Sequence, residues 1–352
     1  MRIALRTALL VAIAAIGTSL ARGQCGVPSA SAVWSVATSR DGMRVYADGV
    51  PNGGGSYFDC FYRSDDAGRT WSSTLLGEVA WILSIDVDPR DADDVWVASQ
   101  QPTACADPCF PPPPGGLYHS TDGGATWARN QSFLYARSIL RDPVNPDMLF
   151  LSDYTGSFKS GDSGVTWNPI ALLQGGAVLS SDPLAPNALF AATGQDLFRS
   201  TDSGESWSGS LLGGYGGPYP FTRVVAVSSD LFVGTYSGVY RSSDAGDHWD
   251  LSGHLGDEIV DLFVADGVLF STGFWPGGPA SGGMLSRSDD RGVSWSLVRR
   301  SPEFPSFLAW SAPTSSLIVG TFTEGVRLLP IEDTVISFDF PVRPAPAPVS
   351  GR

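Results

Sequence analysis

The chain has 352 residues, with 36 acidic side chains against 22 basic ones and a formal net charge of −14. A field of that sign repels phosphate backbones and excludes general nucleic-acid binding. Glycine and proline counts of 41 and 26 fit many short strands joined by tight turns, and argue against a helical bundle.

In chain order, residues 1–23 read as a secretory signal peptide. Arg2 and Arg6 precede an apolar run from Thr7 to Leu20 that is too short to span a bilayer. Export, without membrane insertion, is therefore expected. Gln24 stands before Cys25 where a lipoprotein needs a small residue, so no lipid anchor is expected either. Residues 24–31 form a short N-terminal segment. The four cysteines suit oxidised pairs in an exported protein. Three connectivities exist; the favoured one staples Cys105 to Cys109 and ties the N-terminus through Cys25 and Cys60. His119, His248 and His254 show no ligand spacing with the cysteines, so no metal or other cofactor is expected.

The pattern Ser-x-Asp-x-Gly-x-x-Trp then recurs six times, with its aspartates at Asp66, Asp122, Asp162, Asp202, Asp244 and Asp290. Their spacings are 56, 40, 40, 42 and 46 residues, the size of a four-stranded propeller blade. The motif's chemistry is that of a turn. The carboxylate takes backbone N–H groups ahead of it, glycine supplies positive φ, and tryptophan pins the outgoing strand. Asp88-Pro89, Asp142-Pro143 and Asp182-Pro183 mark a second repeat, each ending one apolar strand and turning into the next.

Together these repeats predict an all-β chain, a single β-propeller over residues 32–340 built from four-stranded antiparallel blades. Four strands after the last box, with Ile331-Glu332-Asp333-Thr334 in place of a box, make a seventh blade; a six-bladed ring is the alternative count. Residues 341–352 are a Pro/Ala-rich tail expected to be disordered.

The boxes and Asp-Pro hairpins resemble the Asp-box (BNR-repeat) superfamily over roughly residues 32 to 330. That superfamily includes sialidases, xyloglucan-degrading glycoside hydrolases, the sortilin luminal domain and photosystem II assembly factors. The resemblance implies that the box aspartates sit at the blade periphery, away from the ligand face. It does not choose between enzyme, binder and scaffold. The Arg-Ile-Pro motif of sialidases is absent, since Arg2-Ile3 continues with Ala4. The xyloglucan-degrading enzymes generally use two propellers, whereas this chain has one. The assembly factors match in size, but their arginine patch has no clear equivalent here.

Insertions fall at Val50–Asp59, Gln100–Gly116 and Phe274–Gly283, between second and third strands, and at Gly213–Phe221, between blades four and five. Such connections emerge on one face of a propeller. On that face the candidate ligand-binding residues are Arg137, Tyr154, Tyr215, Tyr219, Arg223, Tyr236, Phe274 and Trp275. If the chain were a glycoside hydrolase, its acids would be Asp153, Glu258 and Glu324. The reading is a monomeric, non-catalytic propeller that binds a glycan or protein partner on the insertion-bearing face. A glycoside hydrolase of sialidase- or xyloglucanase-like type and an assembly-factor-like scaffold are the competing readings.

Overall fold

The computed structural model describes residues 31–51, 60–76, 81–100, 115–170, 173, 177–182, 185, 187–193, 196–209, 222–254, 257–274, 282–301, 305–321 and 325–334. They form seven antiparallel sheets arranged as a seven-bladed β-propeller. In each blade the strands follow chain order, here named A to D from the channel outward. Blade two shows the plan, with A at Ile82–Val87, B at Val95–Ser99, C at Gly116–Ser120 and D at Ala128–Asn130. Among the described residues, blades four and seven hold three strands each, and blade four adds a single bridge between Arg199 and Ser208. The fourth strand expected at residues 335–340 lies outside the described residues. Ile331–Thr334, where a box was expected to be missing, is a short 3-10 turn.

Seven apolar clusters hold the ring together, one between each pair of neighbouring blades. Trp96 and Leu117 of blade two meet Ile139 and Leu151 of blade three, for example. The last cluster brings Ala309 and Ile318 of blade seven against Val36, Val45 and Tyr62 of blade one. The Val33 N–H also donates to the Thr321 carbonyl across that seam at 2.9 Å. Because each blade buries both faces of its inner strands, these read as continuous apolar runs such as Leu149-Phe150-Leu151.

Side chains stitch the A strands around the channel. Ser138 Oγ accepts the Leu179 N–H, and Ser180 Oγ accepts the Val224 N–H at 3.1 Å. In each of the six boxed blades the box closes the C–D turn. Ser64 Oγ donates to Asp66 Oδ1 and accepts the Gly68 N–H, both at 2.8 Å. Asp66 Oδ1 accepts the Thr70 N–H at 2.7 Å, and Oδ2 accepts the Thr70 hydroxyl at 2.6 Å. Trp71 Nε1 donates to the Gly68 carbonyl at 3.0 Å. The carboxylate clasp recurs in all six boxes, with serine or His248 in the threonine's place in three of them.

The residue before every box serine is basic: Arg63, His119, Lys159, Arg199, Arg241 or Arg287. Each pairs in register with an aromatic on strand B, as in Trp96 with His119 and Phe150 with Lys159. Lys159 Nζ lies 5.9 Å from the Phe150 ring centre, and the Arg199 guanidinium 5.8 Å from that of Phe190. His119 stacks on Trp96 at 4.0 Å. Four of these rings, Trp96, Phe150, Phe190 and Phe232, also receive the box glycine of the next blade. A Cβ at Gly164 would stand 2.5 Å from Trp96, and one at Gly204 would stand 2.5 Å from Phe150. The box therefore serves as an inter-blade joint as well as a turn.

These clasps set an acid limit. Hydroxyl and backbone donors hold Asp66, Asp122 and Asp202 at about 2, and Asp162, Asp244 and Asp290 below the ordinary carboxylate value. A carboxyl depressed in the folded state contributes stability that is present above its unfolded value, ~3.9, and lost as pH falls through its folded value. Thermal unfolding followed by circular dichroism should show a steep fall in midpoint from about pH 4 to about pH 2. Asp66→Asn with Asp122→Asn should flatten that limb; an unchanged limb in the double variant would contradict the assignment.

Candidate binding face

A strands begin, and B strands end, at one mouth of the channel. There the A strands are irregular. In blades two, three and six the pairing with B skips one residue, Leu83, Arg137 or Val260. In blade one the A strand breaks between Ser31–Ala32 and Val36–Thr38, and the buried Asp48 carboxylate accepts the N–H groups of Trp34 and Ser35 at 2.7 and 2.6 Å. Bulges of this kind re-aim side chains where a strand reaches a functional edge.

Four aromatic side chains are exposed among the described residues: Trp81 at 41%, Tyr135 at 38%, Tyr154 at 50% and Tyr236 at 41%. All four sit at this mouth. Trp81 precedes the A strand Ile82–Val87, and Tyr135 precedes Ala136–Arg141. Tyr154 follows the B strand Leu149–Asp153, and Tyr236 follows Asp230–Thr235. Tyr135 and Tyr154 meet edge to face with ring centres 6.0 Å apart, and Trp81 lies 6.4 Å from Trp34. Leu134 adds an exposed aliphatic side chain beside the tyrosine pair. The exposed apolar residues elsewhere, Met43, Val144, Val165, Leu251 and Val293, are all non-aromatic.

The charged candidates separate into spent and unspent groups. Arg223 is spent: its guanidinium grips Asp261 through Nε at 3.0 Å and a terminal nitrogen at 2.6 Å, and donates to the Leu308 carbonyl at 2.8 Å. It ties blades five, six and seven together, so its guanidinium is held inside the ring by Asp261 and Leu308. Asp153 is also spent. Its Oδ1 accepts the Thr155 N–H, the Thr155 hydroxyl and the Gly156 N–H at 2.7, 2.6 and 3.0 Å, which closes the B–C turn. Phe274 is not a rim aromatic either. It ends strand B of blade six, pairs with Glu258 and Gly283, and is only 6% exposed.

Arg137 and Glu258 are unspent. Arg137 is half-buried at the blade-three bulge, with no ion pair or hydrogen bond to a described residue. Burial lowers its pKa from the usual arginine value, and the nearby Tyr154 phenol is the only group opposing that. Glu258, at the start of strand A in blade six, is half-buried and pushed upward by burial alone. Tyr215, Tyr219, Trp275 and Glu324 lie outside the described residues, as do most of the four insertions. No cluster of potential metal ligands occurs among the described residues.

Neither Trp81 nor Tyr135 is among the ligand-binding candidates named from the sequence. The signal was available, since both stand immediately before an A strand.

Residues 118–129 match the BNR/Asp-box repeat family and cover the second of the six clasps described above. The chain is a seven-bladed β-propeller in which six C–D turns carry this box. Its fold is similar to YCF48 bound to a D1 peptide, at 16% identity and a TM-score of 0.59, over 86% of this chain and 93% of that one. It is also similar to an ancestral GH74 enzyme, at 17% identity and a TM-score of 0.55, over 67% of this chain. The propeller spans about a third of that enzyme, 34% of its length. A third likeness is to the extracellular domain of the two component system BT4673 from B. thetaiotaomicron, at 12% identity and a TM-score of 0.59, over 85% of this chain and 38% of that one. Identities this low establish a shared fold, and folds of this kind carry unrelated functions. No curated protein matches the propeller in sequence. No helix among the described residues is long and apolar enough to cross a membrane.

Proposed function

We propose that this propeller is a non-catalytic binding protein that holds a protein or glycan partner at the mouth where its A strands begin. The observation that carries this is that, among the described residues, the exposed aromatics Trp81, Tyr135, Tyr154 and Tyr236 all lie at that mouth. A rigid ring that displays amphipathic aromatics at one place, and leaves Arg137 desolvated there, has the composition of a recognition surface. The pairing of a propeller of this fold with a peptide in YCF48 supports the same reading.

The carboxylates support binding over hydrolysis. Glycosidase chemistry needs two carboxyl groups ~5 to ~9.5 Å apart, one of them free to act on water or sugar. Asp153 is committed to its turn, and Glu258 lies three blades away. Export after removal of residues 1–23, and the pairings Cys25–Cys60 and Cys105–Cys109, belong to the same proposal. Cys60 is buried at the start of its strand, and among the described residues no cysteine is free.

Glycan and peptide arrays probed with the purified chain and with a Trp81→Ala, Tyr154→Ala, Tyr236→Ala variant test this reading. The wild-type chain should bind features of one array, and the variant should lose about tenfold or more in affinity with an unchanged unfolding midpoint. Equal binding by both proteins would remove the mouth from consideration.

A further inference from the structure

Nine of the arginines among the described residues bind a carboxylate of the chain itself. Arg129 donates to the Gly115 carbonyl at 2.9 Å. Arg137 has neither kind of partner, although it is half-buried in a strongly acidic protein. Its place in the repeat makes this more pointed. The equivalent bulge positions in blades two and six hold Leu83 and Val260, apolar side chains that need no partner. Blade three puts a guanidinium there, next to the edge-to-face pair Tyr135 and Tyr154 and the exposed Leu134. A buried cation without a counter-charge weakens the folded state unless something else supplies one.

Glu258 is the counterpart three blades on. It too is half-buried with no partner among the described residues, and burial raises its pKa. Among the described residues the mouth therefore carries one unpaired cation and one unpaired anion, three blades apart.

We infer that the mouth recognises an extended peptide segment carrying a carboxylate, which Arg137 receives, and a separate cationic group, which Glu258 receives, with an apolar side chain held against Tyr135 and Tyr154. This rests on the binding role proposed above and names its ligand class. A single arginine offers a bidentate fork to one carboxylate and has nothing further for a polyanion. The tyrosine rings meet at 71° beside the exposed Leu134, an arrangement suited to an aliphatic or aromatic side chain and not the flat platform on which a sugar ring stacks. A neutral glycan would leave both charges unanswered.

The test uses the full chain and a phage-displayed random dodecapeptide library. Selected peptides should carry an Asp or Glu near an apolar residue, and a Lys or Arg further along. For a synthetic consensus peptide measured by calorimetry, changing its acidic residue to the amide should weaken binding at least tenfold. That discrimination should vanish with Arg137→Gln, while Glu258→Gln should erase the preference for the basic residue. A version with the acid moved to a free chain terminus, beside its terminal amide, shows which source of carboxylate the site accepts. A readout without any ligand also applies: Arg137→Leu should leave the unfolding midpoint unchanged or raise it.

Selected peptides without acidic residues, full acid discrimination retained in Arg137→Gln, or a midpoint several degrees lower in Arg137→Leu would each overturn the inference. Binding only to acidic glycans would overturn the peptide class. Loss of binding in the Trp81, Tyr154, Tyr236 variant together with unaltered binding in Arg137→Gln would sink this inference while leaving the binding mouth intact.

Discussion

Arg141→Met should destabilise the propeller by about 3–5 kcal/mol, the scale for stranding buried charges. Arg141 ends strand A of blade three, and its side chain is 4% exposed. It reaches into blade two and meets three carboxylates, Asp86 at 3.0 Å, Asp88 at 2.8 Å and Asp94 at 2.7 Å, while also donating to the Pro146 carbonyl at 3.0 Å. Its own N–H donates to Asp86 as well. Removing one guanidinium leaves several carboxylates facing each other in a low-dielectric seam. Denaturant unfolding measures the loss. If the variant does not accumulate, adding Asp86→Asn should restore part of the stability.

The same cluster predicts a pH dependence. Burial pushes Asp86 up to about 6 against the pull of Arg141. A carboxyl raised in the folded state contributes stability that is full below its unfolded value, ~3.9, and lost as pH rises through its folded value. The Arg141→Met penalty should therefore be smaller at pH 5 than at pH 8. A penalty under about 1 kcal/mol at pH 8 would show that this ion cluster adds little to the joint between blades two and three.

Gly164→Val is the second large effect, about 2–5 kcal/mol. Two costs coincide there. The residue has φ +82°, which a β-branched side chain resists, and its Cβ would stand 2.5 Å from Trp96. Trp96 has little room to retreat, since His119 stacks on it at 4.0 Å and it is buried among blades two and three. Gly161, in the same box, is the control. A Cβ there meets nothing within 4 Å, so Gly161→Ala should change stability by less than about 0.5 kcal/mol. Similar losses at both positions would mean that the whole turn, not the joint with Trp96, is what the box requires.

The fold was legible because the propeller repeats its signals locally. A box fixes its own turn through contacts four residues apart, as between Asp66 and Thr70, and the apolar runs mark the strands between. The basic residue before each box was equally visible, but its meaning depends on the facing strand: Lys159 only makes sense opposite Phe150.

The site was less legible, for a physical reason. Whether a charge is free depends on contacts across blades, which no local pattern encodes. Arg137 and Arg223 look alike in sequence, yet Arg223 meets Asp261 38 residues further along, while Arg137 meets no carboxylate of a described residue. Asp153 looked like a mouth acid and is held by the turn that follows it. Phe274 looked like a rim aromatic because a Gly/Pro-rich insertion follows it, but the strand extends far enough to bury it.

Hydrogen–deuterium exchange on the propeller, with and without the partner it captures, tests the central claim most directly. Binding at the mouth predicts slowed exchange at residues 81–84, 134–138, 152–156 and 235–238, with the box turns at 64–71 and 120–127 unchanged. Protection of the box turns, with the mouth exchanging as before, would contradict the account and move the working surface to the opposite side of the ring.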